Sequence, residues 1–550
     1  MATLNFRGKT FVQNHHLAVK YHQLVPKRDK SLTDKVNLND NLILHGDNLK
    51  ALKALLPTYA GKVKCIYIDP PYNTGNERWV FNDNVNNPMM QEWLGKIVNK
   101  EDLTRHDKWL CMMMPRLRLL RELLREDGVI FVSADDNEIH RLRMLMDAVF
   151  QGNFVGMLIW RKKEGGGQTD DYFVTEHEYI LVYAKSPEFK WIDETIEVDQ
   201  AAFNREDSKG KFTAIKLAKW GSGARREDRT TMYFPIKAPD GKNIYPKAPD
   251  GREGRWRVGK VRMAELIRNE RIDWQKKNGE WIAYEKAYYD KRAVKKIKER
   301  SILYEIATTG DAANTLTQIF GVKDVFENPK PVELVKFFIR YTTDKSSVVL
   351  DSFAGSGTTA HAVLDLNKED RGNRKFILIQ CDEFNKLTGK IEDICNSITA
   401  ERVRRVIKGI AKAKNEKLRE GLGGTFSYFE LGDPIEMESI LEGDNLPSFL
   451  ELARYVFYTA TGEEFDLLKV DKKRNFIGDS KEYEVYLFYK PDIEYLKATA
   501  LTLERAKNLG PYKGKKRLVF APSKYLDTDY LLEYRIDYCQ LPFEIYRLKE

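Results

Sequence analysis

The chain has 550 residues, with 91 Lys and Arg against 82 Asp and Glu for a net charge of +9. That length supports about three or four compact units, and the chain lacks both the run of about eighteen apolar residues that a membrane span needs and the early apolar stretch of a signal peptide. Its five cysteines, Cys65, Cys111, Cys381, Cys395 and Cys539, form no Cys-x-x-Cys pair, which fits a reducing cytoplasm and predicts neither a disulfide framework nor a structural zinc site.

Residues 1–40 are polar and basic without a clear period, and an N-terminal arm is expected there. A first half of a catalytic domain is expected over 41–164. Within it, Val63 to Ile68 is a short apolar run of β-formers that stops at Asp69. The Asp69 carboxylate and Tyr72 therefore lie just past a strand's carboxyl end, where open parallel sheets bind ligands. In Asp69-Pro70-Pro71-Tyr72 the two prolines fix φ, lack N–H groups and push the preceding residue out of the helical region. The carboxylate and the Pro70 carbonyl become rigid acceptors. Such acceptors suit an exocyclic base amine, whose lone pair is delocalised into the ring until its hydrogens are held in a geometry nearer sp³. Tyr72 offers a flat face for a base drawn out of its stack. The plainer alternative is a Pro-Pro turn carrying a surface tyrosine. His177-Glu178 resembles half of a metalloprotease motif, but Leu181 stands where the second histidine belongs.

Residues 165–312 look unlike a doubly wound fold. Gly165-Gly166-Gly167 opens the stretch, and Ala238-Pro239-Asp240-Gly241 and Ala248-Pro249-Asp250-Gly251 repeat a turn signal, which predicts a hairpin or small β module. Residues 201–300 hold 27 Lys and Arg against 14 Asp and Glu, a local excess larger than that of the whole chain, with aromatics interleaved as in Arg255-Trp256-Arg257. Such a segment can neutralise phosphates and read or stack on bases, which makes a nucleic acid the expected partner, double-stranded DNA ahead of RNA, which electrostatics leaves open. Arg225, Arg226, Arg229, Arg255 and Arg257 are the candidate contacts. For any single lysine, as in Lys295-Lys296-Ile297-Lys298, a solvated surface is the simpler reading.

The second catalytic half is expected over 313–420. Ser347 to Leu350 reads as a buried strand ending at Asp351, Gly355 and Gly357 as a tight turn, and Thr358 to Leu366 as the helix leaving it. A phosphate loop would carry a lysine before Thr358-Thr359, and a dinucleotide fingerprint would prefer glycine at position 360, which is alanine. Lys375 to Gln380 is another strand, ending at Asp382 and Glu383, where an acid can hold ribose hydroxyls. A helical stretch over 388–419 and a boundary at Gly421-Leu422-Gly423-Gly424 follow. In 421–550 a strand at 484–489, a helix at 493–508 and a strand at 517–520 predict a small α/β domain.

Asp69-Pro70-Pro71-Tyr72-Asn73-Thr74-Gly75-Asn76, with Asp351-Ser352-Phe353-Ala354-Gly355-Ser356-Gly357-Thr358-Thr359 downstream, resembles the DNA amino-methyltransferases, and the order of the two motifs is that of their β class. Leu44 to Leu49, Val129 to Glu138, His177 to Tyr183 and Asn328-Pro329-Lys330-Pro331 extend the likeness to the modification (Mod) subunits of type III restriction-modification systems. The resemblance implies a doubly wound, Rossmann-like α/β methyltransferase sheet with an inserted target-recognition region and a small C-terminal α/β domain. It further implies S-adenosylmethionine as cofactor, held by Asp47, Lys330, Asp351, Phe353, Gly355, Gly357, Thr358 and Glu383, and methylation of adenine N6 at Asp69, Pro70, Pro71 and Tyr72. Serine at position 69 would lean towards cytosine N4, which is the alternative base. A homodimer and a helicase-nuclease partner are expected by the same likeness, and the tail is a candidate docking domain. Two other readings stand beside this one: a DNA-recognition subunit that carries a restriction partner, and a nicotinamide oxidoreductase, which leaves Asp-Pro-Pro-Tyr unexplained.

Overall fold

The computed structural model describes residues 4–74, 102, 104–165, 172–197, 199–290, 294–385, 390–435, 446–463 and 465–541. Gly75, Asn76, Gly166 and Gly167 lie outside them. The chain forms two compact units, 1–192 with 300–550, and 193–299.

The larger unit is built on a ten-stranded sheet. In chain order its strands are β1 (His22–Pro26), β2 (Leu42–His45), β3 (Val63–Ile68), β4 (Leu124–Ala134), β5 (Phe154–Arg161), β6 (His177–Ala184), β7 (Ile302–Leu303), β8 (Val348–Asp351), β9 (Lys375–Gln380) and β10 (Ser427–Pro434). Their spatial order is β1-β10-β2-β9-β8-β3-β4-β6-β5-β7. From β10 to β4 the strands run parallel. On one flank β6 pairs antiparallel with both β4 and β5, and on the other β1 pairs antiparallel with β10.

The apolar runs explain why this sheet is buried on both faces. Along β3, Val63, Ile66 and Ile68 face a core completed by α1 (Asn48–Tyr59), α2 (Arg105–Leu123) and α3 (Ile139–Phe150), while Cys65 and Tyr67 face one completed by α4 (Val332–Thr342), α5 (Thr358–Asp370) and α6 (Glu401–Lys408). Phe131 stacks on Phe338 of α4 with ring centroids 4.4 Å apart. After β3 the chain passes through α2 to β4 on one side, and after β8 it passes through α5 to β9 on the other. Since β3 and β8 are neighbours, the crevice between their carboxyl ends is the switch point where a doubly wound sheet binds ligands.

Several expected boundaries move. Residues 1–40 are more than an arm, because β1 joins the sheet edge. The inserted unit, 193–299, is shorter than the expected 165–312, because β6 and β7 belong to the large sheet. Likewise β10 lies beyond the Gly421–Gly424 boundary yet pairs with β2, so the tail begins after it. The helix expected over 388–419 is divided: a π-helical turn, Cys395–Ala400, runs into α6, which stops at Gly409 with φ 93°, and a short helix, Glu416–Glu420, follows.

The inserted unit carries a four-stranded antiparallel sheet ordered Ile272–Lys277, Glu280–Tyr288, Gly210–Lys216, Arg205–Asp207. Its two Ala-Pro-Asp-Gly turns are near copies. Each alanine N–H donates to the residue four positions on at 2.9 Å, and the glycines take φ of 80° and 82°, which the missing Cβ permits. Trp256 is core here, packed with Phe234, Leu217 and Met263, and its indole N–H donates to the Phe234 carbonyl at 2.7 Å. It is therefore withdrawn from the expected role of reading DNA.

The tail has a sheet ordered Phe476–Asp479, Tyr483–Leu487, Lys516–Ala521, Ile536–Gln540, the last three strands parallel. Its expected helix over 493–508 is broken into Ile493–Ala498 and Leu503–Lys507 by Ala500–Leu501, which pairs with Ser523–Lys524. Helix Phe449–Thr461 packs on α1, and its Tyr458 hydroxyl donates to Glu122 at 3.4 Å. No described helix is long and apolar enough to cross a membrane.

Candidate active site

At the end of β3 the Asp-Pro-Pro-Tyr segment is tied down at both prolines' flanks. Trp109 of α2, almost wholly buried, donates its indole N–H to the Pro71 carbonyl at 2.7 Å. That bond uses the second proline's oxygen. Asn73 follows with φ 59°, buried, and its amide donates to Glu138 at 2.6 Å.

Asp69 sits in a cluster of four ionisable groups. One of its oxygens accepts from the Tyr72 hydroxyl at 2.8 Å and the other from Lys330 Nζ at 2.7 Å. The same phenol oxygen lies 2.9 Å from Glu178 Oε2 and 3.0 Å from Lys330 Nζ, and Lys330 Nζ is 3.2 Å from Glu178 Oε2. Lys162 reaches the far oxygen of Glu178 at 3.3 Å. Burial pushes the Asp69 carboxyl up, with Glu178 adding to the shift and Lys330 opposing it. Burial also works against ionisation of Glu178, but Lys330 and Lys162 outweigh it and hold that carboxyl below its ordinary range. Lys330 is held above its ordinary value because the two carboxylates overcome the desolvation of its ammonium. The side chains of Lys330 and Glu178 are each 8% exposed and that of Asp69 is 26% exposed, so Asp69 is the member open to a ligand.

Tyr72 was expected to offer a stacking face. Its hydroxyl is held in the ionic cluster, and Lys330 Nζ lies over the ring, 5.0 Å from the centroid. Lys330 was expected to line the cofactor pocket. Its ammonium reaches the Asp69 carboxylate, while its backbone carbonyl accepts from the Thr358 hydroxyl at 3.1 Å at the glycine turn. One residue thus joins the two motifs.

The glycine turn is braced from three sides. Asp351 accepts from the Phe353 N–H at 3.0 Å and the Thr359 hydroxyl at 2.6 Å, and burial lifts its carboxyl to about 7. Gly355 donates its N–H to Gln380 Oε1 at 2.6 Å, and its carbonyl accepts from Thr399 Oγ1 at 2.6 Å. Buried Arg402 donates to Ser356 Oγ and Thr358 Oγ1, each at 2.8 Å. Gly355 and Gly357 take φ of 51° and 81°, and a Cβ would meet Phe326 at 3.0 Å or the Thr399 carbonyl at 3.1 Å. Asp47 caps α1 through the Lys50 N–H at 3.0 Å and lies 3.5 Å from Arg116, whose Nε donates to Asn48. The Asn48 amide in turn donates to the Ser352 carbonyl at 3.1 Å. Of the expected ribose acids, Glu383 opens the short strand Glu383–Asn385, and its side chain lies outside the described residues. Asp382 stands at the end of β9, 2.7 Å from His45 Nε2.

This edge suits a cationic, adenosine-bearing methyl donor. Asp47, Asp351 and Asp382 follow or end three adjoining strands, β2, β8 and β9, and the buried Ser352 Oγ is without a hydrogen-bond partner among the described residues. Chain reasoning missed Glu178, Thr359, Gln380 and Arg402 as parts of the site. His177-Glu178 was in view within a segment of the resemblance and against a zinc-protease motif, Thr359 closes the glycine-turn segment and Gln380 ends the β9 run, but none of them was given a role, and Arg402 carries no motif.

In the inserted unit Arg225 pairs with Asp250 at 3.1 Å and Arg226 with Glu253 at 2.8 Å. Arg255 donates to the Gly223 carbonyl at 2.5 Å, whereas Arg229 and Arg257 are exposed.

The family model described as DNA methylase matches residues 63–390, the span that holds both motifs and the cluster between them. The Mod subunit of the type III restriction-modification enzyme EcoPI from Escherichia phage P1 is 32% identical over 508 residues, covering 85% of this chain and 76% of that protein. The chain belongs to the DNA methylase family. This methylase is also 31% identical to the StyLTI Mod subunit of Salmonella typhimurium, over 84% of the chain and 70% of the relative. To the type II methyltransferase M.KpnI of Klebsiella pneumoniae it is 32% identical, over 61% of the chain and 79% of the relative. The match to M.KpnI shows that the likeness extends beyond the type III subunits.

Proposed function

We propose that this methylase transfers the methyl group of S-adenosylmethionine to the exocyclic N6 of an adenine extruded from double-stranded DNA, as the modification subunit of a type III restriction-modification system. The observation that carries the reading is the meeting of Asp69 and the glycine turn at one switch-point crevice, bridged by Lys330. S-Adenosylmethionine supplies an already activated sulfonium methyl group. The chain's part is to align the amine and stabilise charge. Asp69 and the Pro70 carbonyl accept the amine hydrogens, Gly355 and Gly357 let the turn approach the cofactor, and Asp47, Phe353 and an acid after β9 hold its polar and planar parts.

Aspartate at position 69 and the similarity to Mod subunits favour adenine over cytosine. The inserted unit is assigned to target recognition because its basic surface exposes Arg229 and Arg257. We assign the tail to docking of a helicase-nuclease subunit and the assembled form to a homodimer, since the relatives are named as subunits of restriction-modification enzymes.

The test is to incubate purified protein with isotopically labelled S-adenosylmethionine and mixed-sequence duplex DNA, then identify the labelled nucleoside by mass. Labelled N6-methyladenine, absent from Asp69→Ala, is expected. Labelled N4-methylcytosine would keep the mechanism and replace the base. Cofactor binding without transfer, with a restriction subunit and DNA both supplied, would favour a recognition subunit instead.

A further inference from the structure

We infer that Glu178 is a positioning residue of the methyl transfer, the fixed negative charge that makes Asp69, across Tyr72 and Lys330, the group that takes the proton from the target amine. The inference rests on the function proposed above and goes past it by giving the proton a destination.

Counting hydrogens in the cluster supports this. A phenol has one proton to donate, yet the Tyr72 oxygen lies 2.8 Å from Asp69 Oδ1 and 2.9 Å from Glu178 Oε2. Lys330, 3.0 Å away, donates to the phenol and so cannot supply the missing hydrogen to a carboxylate–phenol contact. With both carboxylates ionised, one of those contacts lacks a proton. The site is built to hold one more. If Asp69 is protonated, its O–H donates to the phenol, the phenol donates to Glu178, and each short contact then contains a hydrogen.

The proton belongs on Asp69 for two geometric reasons. Lys330 and Lys162 both lie against Glu178, at 3.2 and 3.3 Å, whereas of these two only Lys330 contacts Asp69. Asp69 is also the more open, with 26% of its side chain exposed against 8% for Glu178. The opposite displacement of the two carboxyls, Asp69 up and Glu178 down, has the same sense. The other ionisable groups facing the pair are Tyr67 and Asp351 beside Asp69, and Asp135 near Glu178.

In the reaction the amine nitrogen forms a bond to the methyl carbon, and the carbon–sulfur bond breaks with its electron pair going to sulfur, which becomes a neutral thioether. The nitrogen then carries one hydrogen too many. Its N–H pair stays on nitrogen and the proton passes to Asp69, then to solvent through the open side of that carboxylate.

The test is the single-turnover rate of methylation against pH for the wild type, Glu178→Gln and Lys162→Met. Both variants should fold. In the first Lys330 keeps Asp69 as its partner, and in the second the lost ammonium is 27% exposed. Glu178→Gln should slow the plateau about tenfold or more, as expected when the drive for proton transfer is weakened. It should also move the acid limb down by about one pH unit, because removing a nearby negative charge lets Asp69 stay ionised to lower pH. Lys162→Met removes a positive charge and should move the same limb up. Cofactor and DNA affinity should stay unchanged in both. A limb fixed in both variants, or moving the same way in both, overturns the inference. Should Glu178→Gln fail to fold, the direction seen with Lys162→Met decides alone. A wild type that places no label on DNA would overturn the methyl-transfer reading itself.

Discussion

Lys330→Met removes the cation that Asp69 and the buried Glu178 share. In the wild type its ammonium is 2.7 Å from Asp69 and 3.2 Å from Glu178, and its side chain is 8% exposed. Methionine fills most of the volume, so the loss is electrostatic. Breaking a buried pair by deleting one partner costs about 3–5 kcal/mol, because the remaining charge is left uncompensated. In a unit of this size the melting transition should fall by about 3–5 °C. The sign of the pH dependence follows from linkage. Without the ammonium, the Asp69 carboxyl moves further above its ordinary range, and the Glu178 carboxyl rises because it loses one of the two cations that hold it down. The penalty is then full above the variant's raised values and shrinks as pH falls towards the wild-type ones. The gap between wild type and variant should be wide at pH 8 and close as the pH falls to about 4.5. Thermal melts followed by tryptophan fluorescence at three pH values measure it, with methylation assayed in parallel and expected to be lost. A gap that is absent at pH 8, or that is equally wide at pH 8 and pH 4.5, would refute the reasoning.

Glu138 makes a converse case. Burial lifts its carboxyl to about 7, so its contribution to stability is present below its ordinary value and is lost as pH rises through about 7. Glu138→Gln, which keeps an acceptor for Asn73, should stabilise the fold by about 2–3 kcal/mol at pH 8 and by almost nothing near pH 4, read by urea unfolding at both. Gly357→Ala places a Cβ 3.1 Å from the Thr399 carbonyl at φ 81° and should cost about 2–3 kcal/mol, with cofactor affinity falling too. Gly241→Ala has the same φ, within a degree, but open space around it, and should cost only about 1 kcal/mol in the same melts. In the inserted unit, Arg229→Ala and Arg257→Ala should each lower the slope of log affinity against log salt by about 0.9, measured on nonspecific duplex. Arg225→Ala should change it less, because that guanidinium already pairs with Asp250.

What could be read in the chain was local. The β3 run, the Asp-Pro-Pro-Tyr break after it and the glycine turn after β8 each announce themselves within ten residues, and both turns do lie at carboxyl ends of neighbouring strands. The repeated Ala-Pro-Asp-Gly turns were legible for the same reason, since Pro and Gly fix their backbone whatever surrounds them. Strand pairing across long separations was not legible. Nothing in His22–Pro26 says that its partner is Ser427–Pro434, and so both ends of the catalytic unit were assigned to neighbouring domains. Nor does a basic, tryptophan-bearing segment say which of its aromatic rings is core, as Trp256 is.

The same limit explains the active site. Lys330 was read as part of a cofactor segment, and Glu178 only within an incomplete metalloprotease motif and a segment of the resemblance, because each has meaning only once the sheet has formed. The antiparallel β6 brings the amino end of that strand, with Glu178, to the edge where β3 ends. The turn before α4 brings Lys330 from the other half of the chain to the same edge, 261 positions from its carboxylate partner. The inserted unit occupies the interval between them in sequence. Asp69 acquires its cation only when both halves have docked, so the ionic cluster forms only once the Asp-Pro-Pro-Tyr segment and the glycine turn have met.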